Sequence, residues 1–86
     1  MILLDALYLH SYGGNSILNL FINHIIKNKL TNHFFLLLDS RFKNKSNIEI
    51  KFQSILGGEY NRRKFYLKKI FKFSSVLCLG NVPPPI

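Results

Sequence analysis

Eighty-six residues make one small domain, too short for two, and 48% hydrophobic and 14% aromatic content is enough to build a core and exclude a disordered chain. The single cysteine, Cys78, excludes an intramolecular disulfide and a cysteine-based metal site, and suits a reducing compartment. Twelve Lys and Arg against four acids give a formal charge of +8, which fits either a polyanionic partner or a lysine-rich solvated surface.

The apolar start is broken by Asp5 and has no basic segment before it, so it is not a signal peptide. No apolar run approaches the roughly 20 residues of a membrane span. Ile2 to Ala6 is a short, nearly continuous apolar run ending at Tyr8-Leu9-His10-Ser11-Tyr12-Gly13-Gly14-Asn15. That pattern predicts a strand buried on both faces, followed by a glycine loop. Ser16 or Asn15 then caps a helix through Lys29, with Leu18, Phe21, Ile22, Ile25 and Ile26 on one face and Asn19, Asn23 and Lys27 opposite. His33 to Asp39 is a second buried strand, completing a βαβ unit.

Ser40 to Asn47 reads as a basic loop, after which Ile48, Ile50 and Phe52 alternate with Glu49, Lys51 and Gln53 as in a half-exposed strand at a sheet edge, its direction open. Gly57-Gly58 punctuates. Glu59 to Phe73 is a second helix, with Tyr60, Tyr66, Leu67, Ile70 and Phe71 on one arc and Arg62, Lys64, Lys68, Lys69 and Lys72 on the other. Ser75 to Gly80 is a further apolar strand, and Asn81 to Ile86 is an extended segment that its prolines keep out of a helix. The fold class expected is α/β: a partial Rossmann-like half-domain with a mostly parallel sheet of about four strands and two main helices.

Gly13 and Gly14 sit between a strand and a helix, where free backbone N–H groups favour an anion such as phosphate, although any tight strand-to-helix turn also uses glycine. Neither a Walker loop nor G-x-G-x-x-G is present. Asp39, 25 positions after Gly14, stands where a dinucleotide-binding fold keeps its ribose acid. His10, beside the glycines, is a candidate site residue, whereas His24 and His33 read as surface residues with no metal-ligand spacing. Asp5 reads as a satisfied buried acid, and Cys78 as a small core hydrophobe. Arg63 falls within the apolar arc, so it is expected to pair with an acid at the sheet or to reach an anionic ligand.

Ile2-Leu3-Leu4-Asp5-Ala6-Leu7-Tyr8, the diglycine before an amphipathic helix, Asn61-Arg62-Arg63-Lys64-Phe65-Tyr66, and Val76-Leu77-Cys78-Leu79-Gly80-Asn81-Val82-Pro83-Pro84-Pro85 occur in this order over nearly the whole chain. Together they resemble the start of bacterial GT-B glycosyltransferases of the family-4-like group found in surface-polysaccharide gene clusters. The resemblance implies two Rossmann-like domains facing a cleft. The carboxyl-terminal domain would hold a nucleotide-sugar donor, and the amino-terminal one would be approached by a glycan or lipid-linked acceptor. By position it assigns Gly13, Gly14, Asn81 and Pro83 to the donor and substrate cleft, with His10 and Arg63 as further candidates. Asn81 and the prolines stand where many relatives carry a histidine, so no catalytic residue is assigned.

The acidic donor-binding motif of the second domain is absent from the sequence. The expectation is therefore a truncated amino-terminal domain, 1–86, inactive alone, cytoplasmic or peripheral at the inner membrane face, with no cofactor beyond the donor substrate. Lys64, Lys68, Lys69 and Lys72 would form a solvated face resting against an anionic membrane. A small basic nucleic-acid-binding protein and a truncated dinucleotide-binding domain are the alternatives.

Overall fold

The computed structural model describes residues 1–9, 12–42, 49–80 and 83. Along the chain run β1 (Ile2–Asp5), α1 (Tyr12–Lys27), a 3₁₀ turn at Thr31–His33, β2 (Phe34–Asp39), β3 (Phe52–Ile55), α2 (Glu59–Lys69), a 3₁₀ turn at Ile70–Lys72 and β4 (Ser75–Cys78). The four strands form one sheet in the order β3-β2-β1-β4, and every neighbouring pair is parallel. This is the α/β architecture expected, consistent with a partial Rossmann-like half-domain, and it makes the edge strand β3 parallel to its neighbour.

The alternation of side chains across a strand sorts the core into two layers. Leu4, Leu36 and Leu38 pack with Leu18, Ile22 and Ile25 of α1 on one face, while Leu3 and Leu37 pack with Phe65 and Tyr66 of α2 on the other. Opposite faces follow from the strand order. The first connections step from β1 to β2 to β3, and the last returns past both to β4, so crossovers of uniform hand must lie on opposite sides. Phe42 and Ile50, which flank the β2–β3 connection, are both buried in the α1-side layer.

Several boundaries differ from the sequence expectation. Helix α1 begins at Tyr12, so Gly13 and Gly14 lie within its first turn instead of a preceding loop, and neither Asn15 nor Ser16 is its cap. Glycine is tolerated there because the first turn leaves its N–H groups without helical partners anyway, and a penalty of about 1 kcal/mol per glycine is outweighed by the buried stripe that follows. The helix stops at Lys27: Lys29 turns left-handed at φ 59°, its N–H bonds the Ile26 carbonyl and the Leu30 N–H bonds that of Ile25, the paired bonds of a Schellman closure. Phe21, expected in the core, is partly exposed at the margin of the apolar stripe.

β3 starts at Phe52, later than the alternating pattern implied, because Ile50 is used to fill the α1-side core. Ile48 lies outside the described residues. Regular α2 ends at Lys69, and the tighter turn at Ile70–Lys72 carries the chain to Phe73.

Helix α2 is turned differently from its expected wheel. Arg62, Phe65 and Tyr66 face the sheet and are buried, whereas Tyr60 and Leu67, with Phe71 of the 3₁₀ turn that follows, were expected in the core and point to solvent. The turn amounts to bringing Arg62 inward in place of its neighbour Arg63, one residue or about 100° along the wheel. A charge must therefore be waiting beneath α2.

Candidate functional site

That charge is Asp5, the last residue of β1. It shares strand parity with Leu3, so its carboxylate points to the α2 face. Its Oδ2 accepts from Arg62 Nε at 2.8 Å and from the Tyr66 hydroxyl, and its Oδ1 accepts from the Leu7 backbone N–H at 3.2 Å. The Arg62 and Asp5 side chains are only 3% and 1% exposed. Arg62 also lies 5.4 Å from the ring centres of both Tyr8 and Tyr66, within cation–π range.

Cys78, paired with Asp5 across β1 and β4, completes the cluster: Arg62 Nη2 lies 3.5 Å and the Tyr66 oxygen 3.6 Å from its sulfur. It is thus the half-buried neighbour of a cation and a phenol instead of a simple core hydrophobe. The basic partner was not visible nearby in sequence because it arrives from α2.

The electrostatics follow from burial and pairing. Desolvation is the largest influence on Arg62 and lowers its pKa, but the hydrogen bond and charge of Asp5, with Tyr66 and Cys78, outweigh it and leave the pKa raised. Desolvation, followed by the hydrogen bonds to Asp5 and Cys78, pushes the Tyr66 phenol far above its ordinary range. Tyr66 therefore stays protonated and donates to Asp5. An acid, a cation and a donor satisfying one another out of water make a rigid fastening between α2 and the carboxyl end of β1. Asp5 is accordingly the satisfied buried acid the sequence implied.

Above this fastening lies the place where open α/β sheets bind ligands. The connections leaving β1 and β4 start at adjacent carboxyl ends, and the chain order reverses between those two strands, which defines the switch-point crevice. Two glycines approach the same residue there. A methyl at Gly14 would stand 3.1 Å from Leu9 Cα and 3.2 Å from its Cδ2, while one at Gly80 would stand 3.6 Å from Tyr8 Cβ and 3.7 Å from Leu9 Cδ2. Gly80 also adopts φ 91°, a left-handed conformation that favours glycine. The Leu79 N–H bonds the Asp5 carbonyl at 2.9 Å, holding the exit of β4 against β1.

The amino end of α1 and the exit of β4 thus meet at Leu9, with Gly13 and Gly14 in the first turn of the helix. Gly14 has a packing reason for its size as well as the backbone access a ligand would use. Pro83 is exposed, and His10 and Asn81 lie outside the described residues.

Arg63 departs from expectation. It is 57% exposed and pairs at 3.2 Å with Glu59, one turn back on its own helix. The residue that reaches the sheet acid is Arg62, which the helical wheel had placed on the solvated arc. The missed signal was the conjunction of a lone acid in an apolar strand with an arginine at i and aromatics at i+3 and i+4. Asp39 is likewise committed to structure: it is buried, and Arg41 bonds both of its oxygens, at 2.9 and 2.8 Å. That leaves it ill-suited to hold a ribose. No group of three or more His, Cys, Asp or Glu arranged to hold a metal occurs among the described residues. No family model, curated protein or solved structure matches this chain.

Proposed function

We propose that this chain is an amino-terminal Rossmann-like part of a GT-B glycosyltransferase, in which sugar passes from a nucleotide-sugar donor to a glycan or lipid-linked acceptor during surface-polysaccharide synthesis. The observation that carries this reading is the meeting of Gly14 and Gly80 on Leu9 at the β1/β4 switch point. The two segments bearing the glycosyltransferase resemblance, the diglycine and the Leu79-Gly80 end of the last strand, come together where an α/β sheet receives its ligand.

The division of labour follows from the chemistry. Backbone N–H groups at the start of α1 and the small residues around Leu9 form one wall of a cleft, able to approach phosphate or sugar closely. The buried Asp5–Arg62–Tyr66 cluster touches no substrate; it positions the β1 and β4 ends that carry this wall. Nucleotide contacts belong to a second domain, so the 86-residue chain alone has no turnover, because transfer needs donor and acceptor held together.

Reading the genomic DNA beyond codon 86 in all three frames tests the assignment. A second Rossmann-like domain with an acidic donor-binding motif is expected. The two halves expressed together should transfer sugar to a lipid-linked acceptor and lose that activity with Gly80→Val. Absence of such a domain, or transfer by the 86-residue chain itself, would overturn it.

A further inference from the structure

All-parallel sheets carry helices over both faces, and one helix, about 10 Å across, covers about two strands set roughly 4.8 Å apart. On the α2 side Phe65 and Tyr66 pack over Leu3 of β1 and Leu37 of β2. That leaves the edge strand β3 beyond the reach of α2. Strand parity turns Gln53 and Ile55 to the same side, since Gln53 pairs with Leu37, and both are only half-buried beside the helix. A groove therefore runs between α2 and β3.

Two hollows make up the groove. One, of about 290 Å³, lies between Gln53, Ile55 and Leu56 on the strand side and Asn61, Lys64, Phe65 and Lys68 on the helix side. The other, of about 250 Å³, is lined by Met1, Phe35, Lys51, Lys72 and Phe73. Lys69 borders both and bonds Gln53 Oε1 at 2.8 Å across the divide between them. The apolar lining comes from Phe35, Ile55, Phe65 and Phe73, and Leu56 stands 62% exposed at one end. Lys51, Lys64, Lys68, Lys69 and Lys72 supply the charge, and no acid lines either hollow.

We propose that this groove docks an acidic amphipathic helix of a partner protein, with the partner's apolar stripe on Phe35, Ile55, Leu56 and Phe73 and its carboxylates against Lys64, Lys68 and Lys72. An apolar floor bordered by cations calls for a ligand that is apolar along its middle and anionic along its edge. A helix set about 10 Å from α2, the usual spacing of packed neighbours, lies over β3 at the edge of the sheet. Lys64, Lys68 and Lys72 recur once per turn over about 12 Å of axis, in step with acids at i, i+4 and i+8 of such a partner. A second copy of the chain is a poor occupant, because its Asp5, Asp39 and Glu59 are already engaged by Arg62, Arg41 and Arg63, leaving Glu49 against nine lysines. A free phosphate would answer the lysines and leave the apolar floor wet. The docking proposal stands independently of the transfer chemistry.

Fluorescence anisotropy of a labelled synthetic helix titrated with the full chain tests it. The probe has about 18 residues, or about five turns, with leucine along one face and glutamate on its flanks. Saturable binding is expected, weakening as salt rises. A scrambled peptide of the same composition, and the ordered peptide with glutamine in place of glutamate, should each bind about tenfold more weakly. Lys64 and Lys68 are exposed, so Lys64→Gln and Lys68→Gln leave the fold intact and should each weaken binding about fivefold, with Leu56→Ser costing about threefold. Lys27→Gln, which removes an exposed cation from α1, and Ile17→Ser with Leu20→Ser, an exposed apolar pair on the same helix, should change nothing. Inorganic phosphate should not displace the probe at matched ionic strength. No saturable binding, equal affinity for the scrambled peptide, displacement by phosphate, or a loss from Lys27→Gln equal to that from Lys64→Gln would each overturn the proposal.

Discussion

The two faces of the sheet are built by different rules. On the α1 face Leu4, Ala6, Leu18, Ile22, Ile25, Leu36 and Leu38 form an apolar layer, and nothing in it specifies more than hydrophobicity and shape. On the α2 face a smaller apolar group surrounds the buried Asp5–Arg62–Tyr66 cluster, and the helix above keeps a second apolar stripe for the outside. Burial area alone would let α2 seat either of its apolar sides; the acid at the end of β1 selects one. A buried charge here fixes orientation, a role distinct from adding stability.

The contrast predicts the largest loss where a charge is stranded. Arg62→Met leaves Asp5 buried without its cation and should destabilise the fold by about 3–5 kcal/mol, read as a fall in the urea midpoint. For a domain whose total stability is on the order of 5–10 kcal/mol, this approaches unfolding. Leu18→Ala on the other face should cost about 2–4 kcal/mol, through lost transfer energy and a cavity, with no pH dependence of its own.

Tyr66→Phe, which removes one donor to Asp5 and keeps the ring, should cost about 1–3 kcal/mol at neutral pH. It should also change the alkaline limb. Because folding raises the Tyr66 pKa, the protonated phenol contributes its stability in full below the unfolded tyrosine value, near 10, and loses it as pH climbs toward the folded value. The parent protein should therefore lose stability relative to Tyr66→Phe above about pH 10, measured by paired urea titrations. Arg63→Ala, which removes only the exposed pair with Glu59, should change stability by no more than about 0.5 kcal/mol and serves as the adjacent control.

The difference between the faces also explains what the sequence made legible. Uniformly apolar strands and the Leu18, Ile22 and Ile25 stripe of α1 make a mostly parallel sheet and the first helix legible, whereas the direction of β3 and the exposure of Phe21 are set by the three-dimensional packing. The sequence does not say which side of α2 is inward, because Tyr60, Leu67 and Phe71 make as good an apolar arc as Phe65 and Tyr66, and the deciding partner lies 57 residues away in β1. Asp5 is legible as a satisfied buried acid, but the wheel puts Arg63 on the inward arc where the structure puts its neighbour Arg62. The start of α1 was obscured because Gly13 and Gly14 read as a loop; the reason for Gly14, the close passage of Leu9, exists only in three dimensions.

The orientation of α2 is the claim on which the rest depends, and a double-mutant cycle between Asp5 and Arg62 tests it most directly. Asp5→Leu, Arg62→Met and the pair together are compared by urea unfolding. Each single change should cost about 3–5 kcal/mol, and the double variant should recover most of that loss, because no unpaired charge remains buried. Additive losses, or an Arg62→Met variant as stable as the parent, would contradict a buried Arg62 and with it the outward stripe on α2.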